Sequence, residues 1–351
     1  MRLSSRIAVA AVLAVASLPV GTPAQTANPP RAAAPTAAPP AAAAPQAPAG
    51  AMARFAVLIQ GASGEDQYAT LHRRWLDSLS TLLRQKFQYD AAHLFVLAEK
   101  PGAGELTATA ESVRATFAKL ATQVKASDQL FVMFIGHGAS QGGAKFNLVG
   151  PDLSVEDWSA ILKPIPGRLA VVDSTSGSSP YLAGLAGPGR VVITATSMPG
   201  QTFHTVFAEG FVAAFSADEA DGDKNGRISM LEAFQYAARV TKQSYERAGV
   251  LATEVPAFDD TGTGEAHPAT APFGSAGTVA GLTYLDSVAI PTVADPAVQQ
   301  LLLRRQTLTD QVDELRRRKP TMSADEFDKQ FEALIIELST VSRDVRRRTG
   351  G

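Results

Sequence analysis

The sequence contains no cysteine, which excludes disulfide bonds, zinc–thiolate sites, iron–sulfur clusters and any thiol nucleophile. It also lacks an excess of charge of either sign, since 32 Lys and Arg face 34 Asp and Glu for a formal net charge of -2. No nucleic-acid partner is therefore expected, because proteins that bind nucleic acids usually have a strongly basic surface. What the chain does have is 45% hydrophobic and 19% charged residues among 351, which predicts a buried core.

The first 50 residues are predicted to be an export signal followed by a spacer. Two arginines precede an apolar run that ends near Val20, and Thr22-Pro23-Ala24 is typical of a cleavage site, so residues 1–24 are predicted to be a signal peptide. The run is shorter than the roughly 20 residues of a spanning helix, so no transmembrane segment is expected after cleavage. Residues 25–50 are almost entirely Ala and Pro and predict a disordered linker. We expect the mature protein in the periplasm or outside the cell.

Short apolar runs alternate with helix-period segments in residues 52–290. Because the runs are apolar without alternation, they are typical of strands that are buried on both faces of a sheet. The sequence therefore predicts an α/β domain with a mostly parallel sheet. The predicted strands are 55–59, 94–97, 130–135, 169–172 and 191–194, and the first predicted helices are 68–83 and 105–124.

Two predicted strands end in small polar segments. One runs into Gly136-His137-Gly138 and the next into residues 174–178. Ligands of such sheets bind beyond the carboxyl ends of the strands, so we expect these segments to be neighbours. Flanking glycines leave an imidazole uncrowded, which suits a general base, although an isolated Gly-His-Gly segment is more often a histidine that caps a turn.

This arrangement resembles the caspase and legumain clan of cysteine peptidases over residues 55–240. The whole mature chain is also similar to exported bacterial caspase-like proteins that end in a calcium-type loop and a helical hairpin. The resemblance implies a caspase-like three-layer sandwich, in which His137 matches the catalytic histidine. Aligning Ser176-Gly177-Ser178 with the Cys-Glu-Ser-Gly-Ser motif of legumain-like enzymes places Ser174 at the position of the catalytic cysteine.

Three functions are compatible with a caspase-like protein that lacks a thiol nucleophile. The first is a non-catalytic pseudo-peptidase that serves as a binding or scaffolding module for a protein or peptide partner. The second is a hydrolase that uses Ser174, or Thr175, as nucleophile and His137 as base, with Asp173 or Asp152 as the orienting carboxylate. The third is a purely structural envelope protein. A serine hydroxyl is a far weaker nucleophile than a thiolate, which favours the first.

Residues 221–232 match the twelve-residue EF-hand loop position by position. The sequence therefore predicts a structural Ca²⁺ site, with helical segments at 207–215 and 230–240 on either side. A second acidic segment, 259–265, lacks the alternating oxygen ligands and is interpreted as a turn. The predicted calcium ligands are Asp221, Asp223, Asn225, Ser229 and Glu232 through side-chain oxygens and Arg227 through its carbonyl oxygen.

The segment 295–349 is predicted to form an antiparallel helical hairpin. Apolar residues from Phe327 to Val345 repeat with the heptad spacing of a coiled coil, and Pro320 separates this helix from the one before it. Two helices alone bury little surface, so the apolar seam must close on the α/β domain or on a second copy of the chain. The latter would make the protein a homo-oligomer.

Overall fold

Seven strands form the main sheet of the protein. The computed structural model describes residues 52–139, 142–201, 203–270, 276–288, 290–291 and 293–349. The predicted signal peptide (residues 1–24) and the predicted linker (residues 25–50) lie outside the described residues. In chain order the strands are β1 (Arg54–Gln60), β2 (Leu94–Ala98), β3 (Leu106–Thr107), β4 (Gln129–Ile135), β5 (Gly138–Ala139), β6 (Lys145–Phe146), β7 (Leu153–Ser154), β8 (Arg168–Asp173), β9 (Arg190–Thr194) and β10 (Ala257–Asp259).

The main sheet has the order β10-β9-β8-β4-β1-β2-β3, while β5, β6 and β7 form a small second sheet. All neighbours in the main sheet are parallel except β10, which is antiparallel to β9. From β1 the chain crosses to β2 on one side, whereas β4 pairs with β1 on the other side. The order therefore reverses between β1 and β4, and the carboxyl ends of these two strands flank the position where such sheets open a crevice.

Helices cover both faces of the main sheet. Successive side chains of a strand point to opposite faces, so Ala56 and Leu58 lie in one core cluster while Val57 and Ile59 lie in the other. The helices are α1 (Asp66–Thr81), which continues into a π-helical turn (Leu82–Lys86), α2 (Ala110–Gln123), α3 (Val155–Leu162), α4 (Pro180–Leu185), α5 (Phe207–Ala214), α6 (Met230–Ala248), α7 (Thr278–Gly281), α8 (Pro296–Arg318) and α9 (Ala324–Thr349), with 3-10 turns at Ala91–His93, Asp218–Ala220 and Lys319–Thr321. The first core cluster contains side chains of α1, α5 and α6, and the second contains side chains of α2, α3 and α4.

The last two helices pack against each other as an antiparallel hairpin. Val298 and Leu302 near the start of α8 contact Val345 near the end of α9. The hairpin is joined to the sheet by an ion pair of 2.8 Å between Arg168 and Glu314. Because Arg168 is the first residue of β8, the hairpin lies at the amino edge of the parallel strands. These features confirm the predicted α/β class, the mostly parallel sheet and the C-terminal helical hairpin. None of the described helices is long and apolar enough to cross a membrane.

The predicted secondary structure is incomplete, since β5, β6, β7, α3 and α4 were not predicted, and two further details differ. Helix α2 begins at Ala110 rather than at 105, because Leu106–Thr107 pairs with β2 and the Thr109 side chain then caps the helix by accepting a hydrogen bond of 3.1 Å from the Ser112 amide. The antiparallel edge strand β10 was not predicted. It is only three residues long, too short for a periodic pattern to identify.

Candidate functional site

The polar segments that follow β4 and β8 lie side by side at the carboxyl edge of the sheet. The Ser176 hydroxyl donates a hydrogen bond of 3.1 Å to the Gly138 carbonyl. A Cβ atom at Gly138 would lie 2.3 Å from the Ser176 carbonyl oxygen and 2.8 Å from the Thr175 hydroxyl. Only glycine allows the two segments to approach this closely. The structure therefore brings the segment containing His137 next to the hydroxyl-rich loop, residues 174–178.

The hydroxyl of Ser174 is directed into the protein. Its side chain is only 2% exposed, and its Oγ donates a hydrogen bond of 2.6 Å to the Phe134 carbonyl of the neighbouring strand. The Ser174 carbonyl in turn accepts a hydrogen bond of 2.5 Å from the Thr205 hydroxyl. The adjacent hydroxyl, that of Thr175, donates at 2.6 Å to Asp173. Both candidate nucleophiles thus donate their hydroxyl hydrogens to groups at the sheet edge, the Phe134 carbonyl and the Asp173 carboxylate.

The two candidate orienting carboxylates also have other partners. Asp173 accepts both hydrogen bonds of Thr175 through Oδ1, while its Oδ2 is buried without a hydrogen-bond partner among the described residues. Burial raises the pKa of Asp173 to about 7, against the lowering effect of the Thr175 bonds. Asp152 accepts a hydrogen bond of 3.0 Å from the Leu148 amide. Within the described residues, neither carboxylate is hydrogen-bonded to His137.

His137 instead lies near the loop that follows β1. The ring is half-buried, and burial lowers the pKa of His137, against the raising effects of the Ser63 backbone and of the nearby Glu65 charge. Since β1 and β4 are neighbours, the loops after them are the elements that place these groups together.

Two further imidazoles meet His137 at this position. His72 comes from α1 and His204 from the segment before α5. The ring centroid of His137 lies 5.1 Å from that of His72 and 5.6 Å from that of His204. One ring nitrogen of each histidine lies within 4.8 Å of the other two. The Tyr68 ring packs over them, with its centroid 4.4 Å from that of His204. Below we call His72, His137 and His204 the histidine cluster.

Burial disfavours the charged form of all three imidazoles of the histidine cluster. Burial lowers the pKa of His72 to about 3, and positive charge on either of the other two rings would lower it further. Burial also lowers the pKa of His204 to about 4. His72 Nδ1 lies 3.2 Å from the Ser63 hydroxyl, whereas His72 Nε2 and His204 Nδ1 are buried and have no hydrogen-bond partner among the described residues. The cluster therefore offers nitrogen lone pairs that a metal ion could bind.

The sequence did not indicate this cluster. For Phe203 and His204 the sequence predicts packing under the following helix or, less simply, the lining of a crevice, and it predicts no site at His72. The packing interpretation is wrong for Phe203, whose side chain is 66% exposed. His72 occupies a buried position of an amphipathic helix. A histidine at a position where the helical period requires an apolar side chain was the one available signal.

The calcium-type loop is formed with its carboxylates close together. Carboxylate oxygens of Asp221, Asp223 and Glu232 all lie within 4.8 Å of one another. Amide groups of the loop hold them there: Asp221 accepts from Gly226 at 2.9 Å, and Glu232 accepts from Gly222 at 2.9 Å. Gly226 has φ of 81°, as the sharp turn of an EF-hand loop requires. A gathered set of hard oxygen donors suits Ca²⁺.

The other predicted ligands occupy matching positions. Asn225 Oδ1 accepts a hydrogen bond of 2.8 Å from the Arg227 amide. Ser229 caps α6, since its hydroxyl accepts from the Glu232 amide while the Glu232 carboxylate accepts from the Ser229 amide. The Arg227 guanidinium binds Asp286 at 2.9 Å. This contact leaves the backbone carbonyl as the group that position seven of the motif uses.

This loop lies at the amino edge of the sheet, opposite the histidine cluster. Ser229 pairs with Tyr284 in an antiparallel bridge, and the Tyr284 carbonyl accepts a hydrogen bond of 2.8 Å from the side chain of Gln129, the first residue of β4. The first residue of β1, Arg54, likewise donates to the Leu285 carbonyl at 2.7 Å. The second acidic segment is a turn, in which Asp259 accepts hydrogen bonds from its own loop.

No protein-family profile matches this sequence, and no curated protein matches it either. Among solved structures, the chain is similar to the initiator caspase Dronc of Drosophila, with a TM-score of 0.40 and 9% identity over 61% of this chain and 81% of the caspase. It is also similar to a protein of Geobacter sulfurreducens solved as a structural-genomics target, with a TM-score of 0.39 and 12% identity over 62% of this chain and 98% of that protein. Similarity at this level assigns no function.

Proposed function

We propose that this protein is an exported, non-catalytic caspase-like module that binds a protein or peptide partner and is stabilised by calcium. The Gly136-His137-Gly138 and Ser176-Gly177-Ser178 segments, which carry the resemblance to the clan, support the fold part of the proposal. One observation carries the functional part. The Ser174 hydroxyl, at the position of the catalytic cysteine, is buried and donates its hydrogen to the Phe134 carbonyl.

The chemistry of acyl transfer explains why this observation argues against catalysis. A serine nucleophile must pass its proton to an adjacent base and present its oxygen to the substrate carbonyl. The Ser174 proton is already donated to a carbonyl group, which cannot act as a base. Among the described residues, Ser174 makes no hydrogen bond to His137. Turning the Ser174 hydroxyl towards a base would cost its buried hydrogen bond to Phe134 before any chemistry began.

The binding part of the proposal rests on the carboxyl edge of the sheet. Phe203 and Met198, in the segment between β9 and α5, are exposed, and His204 of the same segment belongs to the histidine cluster. Exposed apolar side chains beside polar groups suit a peptide ligand. Export to the periplasm or beyond rests on the predicted signal peptide. Self-association through α8 and α9 stays a prediction, as does the absence of a nucleic-acid partner.

The calcium part rests on the gathered carboxylates of Asp221, Asp223 and Glu232. A single loop outside the cytosol, with Lys224 reducing its negative charge, suits a structural ion of modest affinity rather than a signalling switch. The loop joins α6 to the Tyr284 segment, so a bound ion would tie the helix layer to the amino edge of the sheet. Its removal is therefore expected to lower stability and leave peptide binding in place.

Activity-based labelling tests the functional proposal. The mature protein is incubated with a fluorophosphonate probe and a peptide library, in parallel with Ser174→Ala and His137→Ala. Ser197→Ala, another serine that follows a strand of the same edge, serves as the matched control. We expect no labelling above denatured protein and no turnover that the substitutions alter.

Stoichiometric labelling of wild type that disappears in Ser174→Ala, but persists in Ser197→Ala, would contradict the proposal. It would favour the second candidate, a hydrolase with Ser174 as nucleophile and His137 as base. A third outcome would favour the third candidate, a purely structural envelope protein. If a library screen of the mature chain yields no peptide that binds at the carboxyl edge, the protein is not a binding module of this kind.

A further inference from the structure

We propose that His72, His137 and His204 bind one divalent transition-metal ion of the Zn²⁺ class. The inference goes beyond the proposed function and does not depend on it, because metal binding needs neither a nucleophile nor a peptide partner. It also differs from the calcium proposal in the place, the donor atoms and the class of ion.

The distances between the ring nitrogens suit one ion. Zinc binds imidazole nitrogen at about 2.0–2.1 Å, so two ligands of a tetrahedral ion are separated by about 3.4 Å. The three nitrogens already lie within 4.8 Å of one another. Small rotations of the side chains would complete the approach. His204 lies in a segment without helix or strand, so this residue can adjust most easily.

Ser63 supports one of the three rings. Its hydroxyl lies 3.2 Å from His72 Nδ1. Histidines that bind metals commonly donate their other N–H to such a partner, which fixes the tautomer and aims the free nitrogen at the ion. Ser63 is itself only 1% exposed. It follows β1, so the outer support of the cluster is part of the sheet edge.

Two ring nitrogens of the cluster are buried without satisfying their hydrogen-bonding capacity. His72 is completely buried, and its Nε2, like Nδ1 of His204, lacks a hydrogen-bond partner among the described residues. A buried polar atom without a partner is costly, and native proteins rarely retain one without a reason. A metal ion would satisfy both atoms at once.

Donor chemistry selects the class of ion. Neutral imidazoles suit zinc, copper, nickel and cobalt, whereas calcium and magnesium require oxygen ligands. Three protein ligands are also the number found in zinc sites that keep a further position for water or a ligand. The cluster lies where the strand order reverses between β1 and β4, the position at which sheets of this type bind their ligands.

The remaining histidines provide internal controls. The chain has five histidines, and three of them meet although they are far apart in sequence. His93 packs against Phe55, with ring centroids 4.1 Å apart, and His267 lies near Phe258. The competing explanation is aromatic packing alone, because Tyr68 contacts all three rings of the cluster. Packing alone predicts no ion.

The experiment is a zinc titration of the mature chain, produced without a histidine tag, freed of metal and saturated with calcium. Calorimetry is expected to find one zinc ion per chain. Affinity should fall at least 100-fold in His204→Ala and in His72→Ala and stay unchanged in His93→Ala. Ser63→Ala should weaken binding about 10–100-fold, as loss of an outer-shell partner does. Cobalt substitution is expected to give the intense visible absorption of a four-coordinate ion.

His204→Ala keeps the test decisive if His72→Ala fails to fold, because His204 is half-buried and lies in a loop. Circular dichroism without metal confirms that each variant is folded. The proposal fails if wild type takes up no stoichiometric zinc, or if His204→Ala binds it as tightly as wild type does. The titration measures zinc binding alone. A negative result would therefore leave the proposed function intact, and a failure of the proposed function would leave the zinc site intact.

Discussion

The two edges of the main sheet carry opposite kinds of donor cluster. At the amino edge, the loop at 221–232 gathers carboxylate oxygens, and Asp223 among them is exposed. At the carboxyl edge, the histidine cluster gathers imidazole nitrogens, and His72 among them is completely buried. The same scaffold thus carries hard, charged donors at one edge and softer, neutral donors at the other, and each cluster combines buried with more exposed members.

Charge explains this distribution. An ionised carboxylate loses a large hydration free energy on burial, whereas a neutral imidazole loses much less. The amino-edge carboxylates can be close together because water and loop amides solvate them. The carboxyl edge is lined by strand ends and the buried loop 174–178, where neutral imidazoles can meet without a counter-ion. The comparison teaches that the charge and type of the donor atoms decide which class of ion each edge could hold.

Close packing at the carboxyl edge is the first part of the comparison to test. Gly138→Ala is expected to lower the free energy of unfolding by about 3 kcal/mol, because the new methyl group would overlap the Ser176 carbonyl and the backbone must move. Urea denaturation measures the loss. Gly200→Ala is the matched control: nothing lies within 4 Å of its Cβ position, so its effect should stay within about 0.5 kcal/mol. Equal effects would mean that the edge is not closely packed.

Calcium should stabilise the protein from the opposite edge. At about 100 times the dissociation constant, an ion that binds only the folded state adds about 2.7 kcal/mol. We expect a chelator to lower the melting temperature of wild type and to leave that of the double variant Asp221→Ala, Glu232→Ala unchanged. Glu219→Gln, a substitution just before the loop, should respond as wild type does. A melting temperature that is insensitive to chelation in every variant would remove calcium from the amino edge.

The difference between the edges also explains what the sequence could predict. The amino-edge cluster is contiguous, so Asp221, Gly226 and Glu232 could be recognised from spacing alone. The strands were equally accessible, because a run such as Phe55 to Ile59 is apolar at every position. Both signals are local, and the structure confirms the fold class that the strand pattern predicted.

The histidine cluster required information that is not local. His72, His137 and His204 come from a helix and two loops, and only the sheet topology brings them together. The direction of the Ser174 hydroxyl is a further example. Its partner, the Phe134 carbonyl, lies on a neighbouring strand, and strand register is not apparent from a run of apolar residues.

A buried carboxyl at the carboxyl edge tests the role of charge directly. The pKa of Asp173 is raised to about 7 by burial, so the folded state holds this proton more tightly than the unfolded state. Stability should therefore fall as pH rises from about 4 to 7 and change no further above the folded pKa. Asp173→Asn removes this contribution and should gain on the order of 2 kcal/mol over wild type at pH 8, since its unpaired amide N–H offsets part of the benefit.

Chemical denaturation at pH 5 and pH 8 measures this effect. Glu254 has its pKa raised to about 7 by burial as well, so wild type retains some pH dependence when only Asp173 is replaced. Glu254→Gln separates the two contributions. If Asp173→Asn is no more stable relative to wild type at pH 8 than at pH 5, then negative charge is tolerated at this edge, and the proposed contrast with the amino edge is not supported.

The smallest expected effect concerns how the amino-edge loop is attached to the sheet. The Arg227 guanidinium makes a forked contact with Asp286 and stacks at 3.8 Å on Tyr284. A lysine cannot reproduce the fork or the stacking, so Arg227→Lys should lower stability by about 1 kcal/mol. Calcium affinity should be unchanged, because the motif uses only the carbonyl of this position. A large loss of calcium affinity, measured by calorimetry, would mean that the ligand geometry depends on this side-chain attachment to the sheet.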